Sequence, residues 1–288
     1  MRRAVLPVLT VVAAIVLIWY VAAAAMNLPW ERDQAARAGT EVPLTEMLAA
    51  TMAQKRPVLP APHQVAVELW ETTAEKAVTS RRSLVYHGWV TLSAALLGFG
   101  FGAALGAALA VGIVHVRAMD LSVMPWIIAS QTIPILAIAP MIIVVLNSVG
   151  LSGLIPKALI STYLAFFPVA VGMVKGLRSP DPIQLDLMRT WSATEGQVLA
   201  RLRWPASVPY LFASLKVAAA AALVGAIVGE LPTGAQAGLG ARLLAGSYYG
   251  QTVQIWSALF AAAILAATVV GLLGLMQRAT LRRMGMAR

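Results

Sequence analysis

The chain has 288 residues, of which 59% are hydrophobic and 12% charged, with a mean hydropathy of +0.78. Soluble domains carry roughly 25% charged residues, so this composition excludes a soluble globule and points to several membrane-spanning helices, while the alternating strands of roughly ten residues that build a membrane barrel are absent. The net charge of +10 does not make a nucleic-acid binder, because the basic residues lie at the ends of apolar runs, where they orient a chain in a bilayer.

Met1, Arg2 and Arg3 precede an apolar run that reaches Met26. The start resembles a signal peptide, but the run exceeds the usual h-region; residues 1–26 are read as an uncleaved first transmembrane helix with a cytoplasmic start. Residues 27–82 form an external insert and interfacial helix. The insert proper, 27–57, is polar and mixed in charge, with helical pieces expected around 43–54. From His63 to Arg82 an amphipathic helix is expected, with Val65, Val67, Leu69 and Trp70 among its apolar positions. There is no cysteine, which removes disulfides and thiolate metal sites. His63, His87 and His115 are far apart and show no ligand spacing, so no metal is expected.

Residues 83–276 hold the remaining spans. The second, about 84–116, carries Gly98, Gly102 and Gly106 at four-residue spacing, a pattern that lets membrane helices approach closely. The third, about 121–146, contains Pro125, Pro134 and Pro140, with Ser130, Gln131 and Thr132 before the second proline. Prolines in a span free carbonyls and kink the helix, which fits either a packing helix or the lining of a path. After a turn at Asn147 comes the fourth span, about 154–174, with Ser161, Thr162 and Tyr163. Ser130, Gln131, Thr132, Asn147, Ser161, Thr162 and Tyr163 are the candidate lining of a solute path, and none is charged.

Residues 178–208 are the most polar part of the second half. Asp181 can cap a helix, Pro182 suits its first turn and Gln184 can reach back to the cap. Ile183, Leu187 and Trp191 share one face, with Asp186 and Arg189 at its rim. Thr194 and Gln197 form a second capping-box pattern, and Pro205 and Pro209 are expected to close that helix. The pair is either an amphipathic loop on the headgroups or a docking helix for a soluble partner.

The fifth span, about 210–231, begins near Lys216 and ends at Gly229-Glu230-Leu231-Pro232. Glu230 is a carboxylate at the end of an apolar run, where charge is costly. It is either a boundary residue in water that caps glycine-loop amides, or a gate. An external glycine-rich loop leads to the sixth span, about 253–276, and 277–288 are a basic cytoplasmic tail. With both termini inside, cytoplasmic segments hold 12 Lys/Arg against 4 acids and external segments 9 against 8, with Lys216 left over at a span end, the bias expected for six spans.

Four stretches together resemble one family. In residues 186–205 the spacing E-A-A-x3-G-x9-I-x-L-P is kept, with Asp186 at the Glu, Leu187 and Met188 at the Ala pair, Ser192 at the Gly, Leu202 at the Ile, Trp204 at the Leu and Pro205 at the Pro. LPAPHQV at 59–65, QTIPILAIAPMIIVVLNSVG at 131–150 and GELPTGAQAGLG at 229–240 complete a likeness over about 58–276. The chain thus resembles an ATP-binding-cassette (ABC) importer transmembrane permease subunit of the nitrate/taurine/aliphatic-sulfonate type, a binding-protein-dependent inner-membrane component.

The resemblance implies an all-α polytopic fold of about six transmembrane helices with a cytoplasmic coupling-helix loop, the type I importer permease fold. It makes 83–276 the permease core and 178–208 its coupling loop. Asp186, Leu187, Arg189, Thr190, Trp191, Ser192, Ala193 and Pro205 would engage the ATPase, and Glu230 would serve in gating. The implied partners are ABC ATPase subunits, a second permease copy (identical or related), a periplasmic solute-binding protein and the lipid bilayer of the bacterial inner membrane. No cofactor is expected on this chain, which lacks a G-x-x-x-x-G-K-[ST] loop; ATP and Mg belong to the partner ATPase. The implied solute is a small organic anion such as a sulfonate, taurine or nitrate, or a small heterocycle such as a thiamine pyrimidine precursor. A secondary carrier or channel is the alternative, although ionisable residues deep in spans are scarce. An intramembrane enzyme lacks its usual signatures, H-E-x-x-H, G-x-S-x-G or paired carboxylates within a span. The insert at 27–57 is left unexplained by the resemblance.

Overall fold

The computed structural model describes residues 2–232 and 235–286. Residues 233–234 of the glycine-rich stretch and 287–288 of the basic tail lie outside the described residues. Every regular element among the described residues is helical. Five helices are long and apolar enough to cross a membrane, spanning Leu6–Ala38, Leu84–His115, Leu154–Leu177, Glu195–Glu230 and Thr252–Arg283, and a bent helix pair adds a sixth if it counts as one span. The chain divides into two compact units, one of Met1–His87 with Ala241–Ala262, the other of Gly88–Gly240 with Ala263–Arg288.

In the first unit, helix α1 runs from Arg2 to Ala38. It does not stop at Met26 as expected, because Glu31 to Ala38 is a run of good helix formers. The insert then folds back on it. Helix α2 takes Leu44–Thr51, and the Asn27 side chain, fully buried, ties the return strand of chain to α1. Its amide nitrogen donates to the carbonyls of Leu59 (2.9 Å) and Thr51 (3.5 Å), and its oxygen accepts from the amides of Val58 (2.8 Å) and Leu59 (3.3 Å). One side chain thereby uses both ends of its amide. Trp19 donates to the Pro60 carbonyl (2.9 Å) and stacks on Phe260 at 5.7 Å.

The amphipathic helix is shorter than expected. Helix α3 covers Pro62–Trp70 and continues only as a π turn at Glu71–Glu75. Thr72 and Thr73 each bond back to a carbonyl four residues earlier, a habit that weakens helix continuation. Glu68 lies 3.9 Å from Arg242. Burial lowers the Arg242 pKa from its ordinary value, an effect Glu68 opposes and Arg82 reinforces.

In the second unit the long helices are α4 (Leu84–His115, which begins in the first unit), α7 (Leu154–Leu177) and α10 (Trp204–Glu230). Between α4 and α7 come α5 (Arg117–Ser130) and α6 (Ile135–Ser148). Between α7 and α10 come α8 (Pro182–Thr190) and α9 (Glu195–Val198), the latter followed by a π turn at Leu199–Arg203. Helices α11 (Leu239–Tyr248) and α12 (Thr252–Arg283) complete the chain. Helix α11 occupies much of what the sequence presents as loop.

Helix α7 is the centre of this unit. A Cβ added at Gly98 of α4 would lie 2.3 Å from the Ser161 Cβ of α7, and one at Gly102 would lie 2.7 Å from the Ala165 Cβ. Gly106 meets the Phe166 carbonyl in the same way at 2.5 Å. On the other side of α7, Gly225 of α10 sits against the Ser161 backbone, and Gly172 and Gly176 of α7 sit against Ser214 and Ser207 of α10. Lipid tails are as apolar as leucine, so helices gain little from hydrophobic transfer there and cohere through such close approach. Ile113, Ile160, Met173 and Leu177 fill the remaining space, each fully buried. Gly98→Val is therefore expected to destabilise the fold by about 3 kcal/mol, at the upper end of overpacking costs. Thermal melting in detergent checks this; a variant that melts with the parent would contradict the α4–α7 contact.

The third span is not one kinked helix. Helices α5 and α6 meet at 97°. The amides of Gln131, Thr132 and Ile133 turn back to carbonyls three residues earlier, and Pro134 has no amide to give, so the α-helix cannot pass through. Prolines 205 and 209 act in the opposite sense to expectation. Pro205 lies inside one continuous helix, Glu195–Glu230, directly after the π turn in which Trp204 N donates to Leu199 O, and the wider turn accommodates a residue with no amide. Pro209 is held inside α10.

Candidate functional site: a capped helix pair and a buried glutamate

The α8–α9 segment is shaped by local bonds. Ile183 N donates to Asp181 Oδ1 (2.9 Å), and Asp181 N to Gln184 Oε1 (3.1 Å). Thr194 and Gln197 repeat the arrangement, with Thr194 N to Gln197 Oε1 at 2.9 Å. Between the two boxes the chain reverses at Ser192, whose φ of 53° makes it the one non-glycine residue in the left-handed region among the described residues. Ser192 N donates to Arg189 O (2.9 Å) and Ala193 N to Met188 O (3.0 Å), a Schellman ending. The left-handed conformation costs a residue with a Cβ about 1–2 kcal/mol. Ser192→Gly is thus expected to stabilise this turn by about 1 kcal/mol and keep activity, whereas Ser192→Val loses activity. Amide exchange over 182–198 in the two variants measures the difference; equal protection in both would contradict a strained turn.

This helix pair leaves its apolar face uncovered. Ile183 is 77% exposed, Leu187 49% and Trp191 71%, and α8 has no buried residue. Asp186 and Arg189 form an exposed ion pair at 2.9 Å, which is worth little as stability. Thr190 bonds its own helix through Leu187 O, and Ala193 is half-buried. The segment is anchored at its root, where Arg203 donates to Leu177 O at the end of α7 (2.8 Å) and Arg178 pairs with Asp120 of α5 (2.9 Å). Neither anchor is signalled in the sequence beyond its charge.

At the opposite end of α10 lies Glu230. Its carboxylate is fully buried. The Thr91 hydroxyl of α4 lies 3.0 Å from both oxygens, Gly240 N donates at 2.8 Å, and Lys157 Nζ stands 3.8 Å away. Thr91 in turn accepts from Leu239 N (2.8 Å), and Lys157 donates to Ala237 O (3.3 Å). The loop that re-enters at Gly238 has φ +127°, and a Cβ there would fall 2.1 Å from the Glu230 Cδ. Glu230 is accordingly a clasp that holds α4, α7 and the glycine loop to α10, not a boundary residue in water. Thr91 and Lys157 escaped the sequence reading. For Lys157 the signal was available, a lone cation opening one span opposite a lone anion closing another; for Thr91 there was none.

The candidate path residues are not all brought together. Gln131, Thr132 and Asn147 are exposed, the first two at the α5–α6 break. Ser130 is at the same break and its carbonyl accepts from the Tyr163 hydroxyl. Ser161 is fully buried between Gly98 and Gly225 and donates to Lys157 O (3.0 Å); it is sealed in the helix contact and faces no open space. Thr162 bonds Ala158 O beside it (2.8 Å). Among the described residues, no group of His, Asp and Glu could hold a metal.

Residues 98–286 match the family described as binding-protein-dependent transport system inner membrane component. The chain belongs to this family, as an all-α, multi-pass permease of an ABC importer. It is 31% identical over 225 residues to the riboflavin transport system permease protein RibX of Chloroflexus aurantiacus, covering 78% of this chain and 80% of that one. The formylaminopyrimidine transport permease protein ThiX of Halalkalibacterium halodurans is 29% identical over 67% of this chain and 72% of its own. The putative aliphatic sulfonates transport permease protein SsuC of Bacillus subtilis is 24% identical over 78% of both chains.

Proposed function

We propose that the chain forms the translocation path of an importer for a small organic solute, and that a separate ATPase drives it by gripping residues 182–204. The observation that carries this is the α8–α9 pair, stiffened by two capping boxes, with Ile183, Leu187 and Trp191 in the open. A fully buried apolar side chain is worth about 1.5–3 kcal/mol, so three of them on one partner make a grip firm enough to transmit the roughly 5.5 kcal/mol that swings a two-state element from one side to the other, the energy itself coming from the ATPase. Ion pairs on this surface could not.

The depth of the segment agrees. Lys216 of α10 bonds Gln277 of α12 at 2.5 Å, next to Arg278. In the six-span reading this polar pair, close to the basic run that ends α12, lies toward the cytoplasmic side. Trp204 lies twelve residues earlier, about 18 Å along the helix from Lys216, on the side away from Glu230. With the α5–α6 pair crossing as one broken span the count is six and both termini lie on one side, which the Lys/Arg bias supports as the cytoplasm.

In this reading two permease copies enclose the path, a periplasmic binding protein delivers the solute, and ATP and Mg stay on the ATPase. Gln131 and Thr132 at the α5–α6 break, with Ser130, Tyr163 and Asn147, are the polar groups offered to the solute. They are uncharged donors and acceptors, which suits a small heterocycle of the kind named for the riboflavin and formylaminopyrimidine relatives; an organic anion is the alternative. Co-purification from native membranes tests the assembly. An ATP-hydrolysing subunit should come down with the chain, and the chain alone should not hydrolyse ATP. Recovery of a functional carrier with no such subunit would overturn the reading.

A further inference from the structure

The insert between α1 and α3 is more ordered than a linker needs to be. Asn27 makes four bonds to it, Gln54 donates to the Asn27 carbonyl (3.3 Å) and to Glu31 (2.5 Å), Gln64 donates to the Gln54 carbonyl (2.9 Å), and Thr252 donates to the Pro57 carbonyl (2.5 Å). These bonds hold one turn, Gln54 to Pro57, in a fixed place. On that turn stand Lys55 and Arg56, both exposed.

Lys55 and Arg56 line two grooves at once. One, of about 350 Å³, also has Trp30, Glu31, Gln34 and Gln54 in its wall. The other, of about 340 Å³, adds Glu68, Gln251, Val253 and Gln254. The acids in these walls are engaged, Glu31 by Gln54 and Glu68 by Arg242. The cations are not matched: among the described residues neither Lys55 nor Arg56 has a carboxylate within 4.0 Å. Beside them Trp30 is 57% exposed. Tryptophan and arginine are the side chains that most often dominate protein interfaces, and a surface already rigid loses little freedom on binding.

We propose that this turn and its two grooves are the surface that receives the solute-delivering protein, through an acidic patch on that partner. The proposal rests on the importer reading and on the six-span topology, which puts residues 27–82 outside the cytoplasm. Two open grooves either side of a projecting basic turn suit the ridge of a protein better than a solute, which needs enclosure on most of its surface. The matched charges act chiefly on encounter and orientation.

The test uses the permease–ATPase complex in proteoliposomes, titrated with its purified solute-binding protein while ATP hydrolysis is followed. The K55E/R56E pair should raise the concentration of binding protein for half-maximal stimulation about tenfold, with the maximal rate kept, and raised salt should narrow the gap. K76E, an exposed cation outside both grooves, should change nothing. Trp30→Ala should shift the half-maximal concentration in the same direction without the salt dependence. Half-saturation of the double variant at the parent concentration would overturn this surface while leaving the importer reading intact. A parent complex that no binding protein stimulates would overturn the importer reading and the surface with it. A change confined to adsorption on anionic vesicles, with stimulation unaltered, would assign the turn to lipid and overturn the proposal.

Discussion

Trp191→Ala is expected to leave the protein folded and inserted but to cut ATP-driven uptake at least tenfold. Trp191 is 71% exposed and, among the described residues, its side chain makes no hydrogen bond, so the isolated permease should be nearly indifferent, within about 0.5 kcal/mol. The loss falls on the complex. A tryptophan at the centre of a docking surface typically costs 2 kcal/mol or more when truncated, and 1.4 kcal/mol is already tenfold in affinity. Asp186→Arg should act in the same direction, by reversing the charge at the rim and breaking the pair with Arg189. The measurement is uptake and ATPase stimulation in proteoliposomes beside a melting curve of the permease alone. Undiminished uptake in both variants would remove the α8–α9 pair from the coupling path.

Glu230→Ala should be the more damaging change to the permease itself. It strips Lys157 of its carboxylate and removes the acceptor for Gly240 N and the Thr91 hydroxyl. Breaking one partner of a buried pair costs about 3–5 kcal/mol. Glu230→Gln keeps the shape and the hydrogen-bond acceptor but not the charge, so it should fall between the parent and alanine. Docking of the ATPase should survive both changes, because α8 lies at the other end of α10, about 40 Å away along the helix axis. Uptake should fall with the melting temperature if Glu230 is only a clasp, and fall further than stability explains if the clasp opens during transport. A fully stable, fully active alanine variant would deny Glu230 either role.

Much of the α8–α9 segment is legible in the sequence because its determinants are local. Asp181 with Gln184 and Thr194 with Gln197 are three residues apart, and both boxes form as the spacing requires. Ile183, Leu187 and Trp191 recur every four residues and share a face. Ser192 is a halfway case. Its place in the family pattern is a glycine's, and only the backbone reveals that the serine bends into the glycine's conformation. The helix breaks are harder, because proline reads alike whether it stands at a break, as Pro134 does at the N-cap of α6, or is carried within a helix, as Pro205 is. What separates them is the neighbouring turn, a set of three-residue bonds in one case and a π turn in the other.

The membrane class, the apolar runs of the long helices and the capped helix pair were determined by the sequence alone, since composition, run length and caps act between residues one or two turns apart. Which polar groups meet was decided by the tertiary structure. Thr91 reaches Glu230 across 139 residues of chain, Ser161 is closed off by glycines from two other helices, and Asn27 binds an insert that follows it by some thirty residues. A lone polar side chain has the same local pattern whether it faces solvent, solute or a partner, and only helices brought to within a Cβ of one another settle which it is.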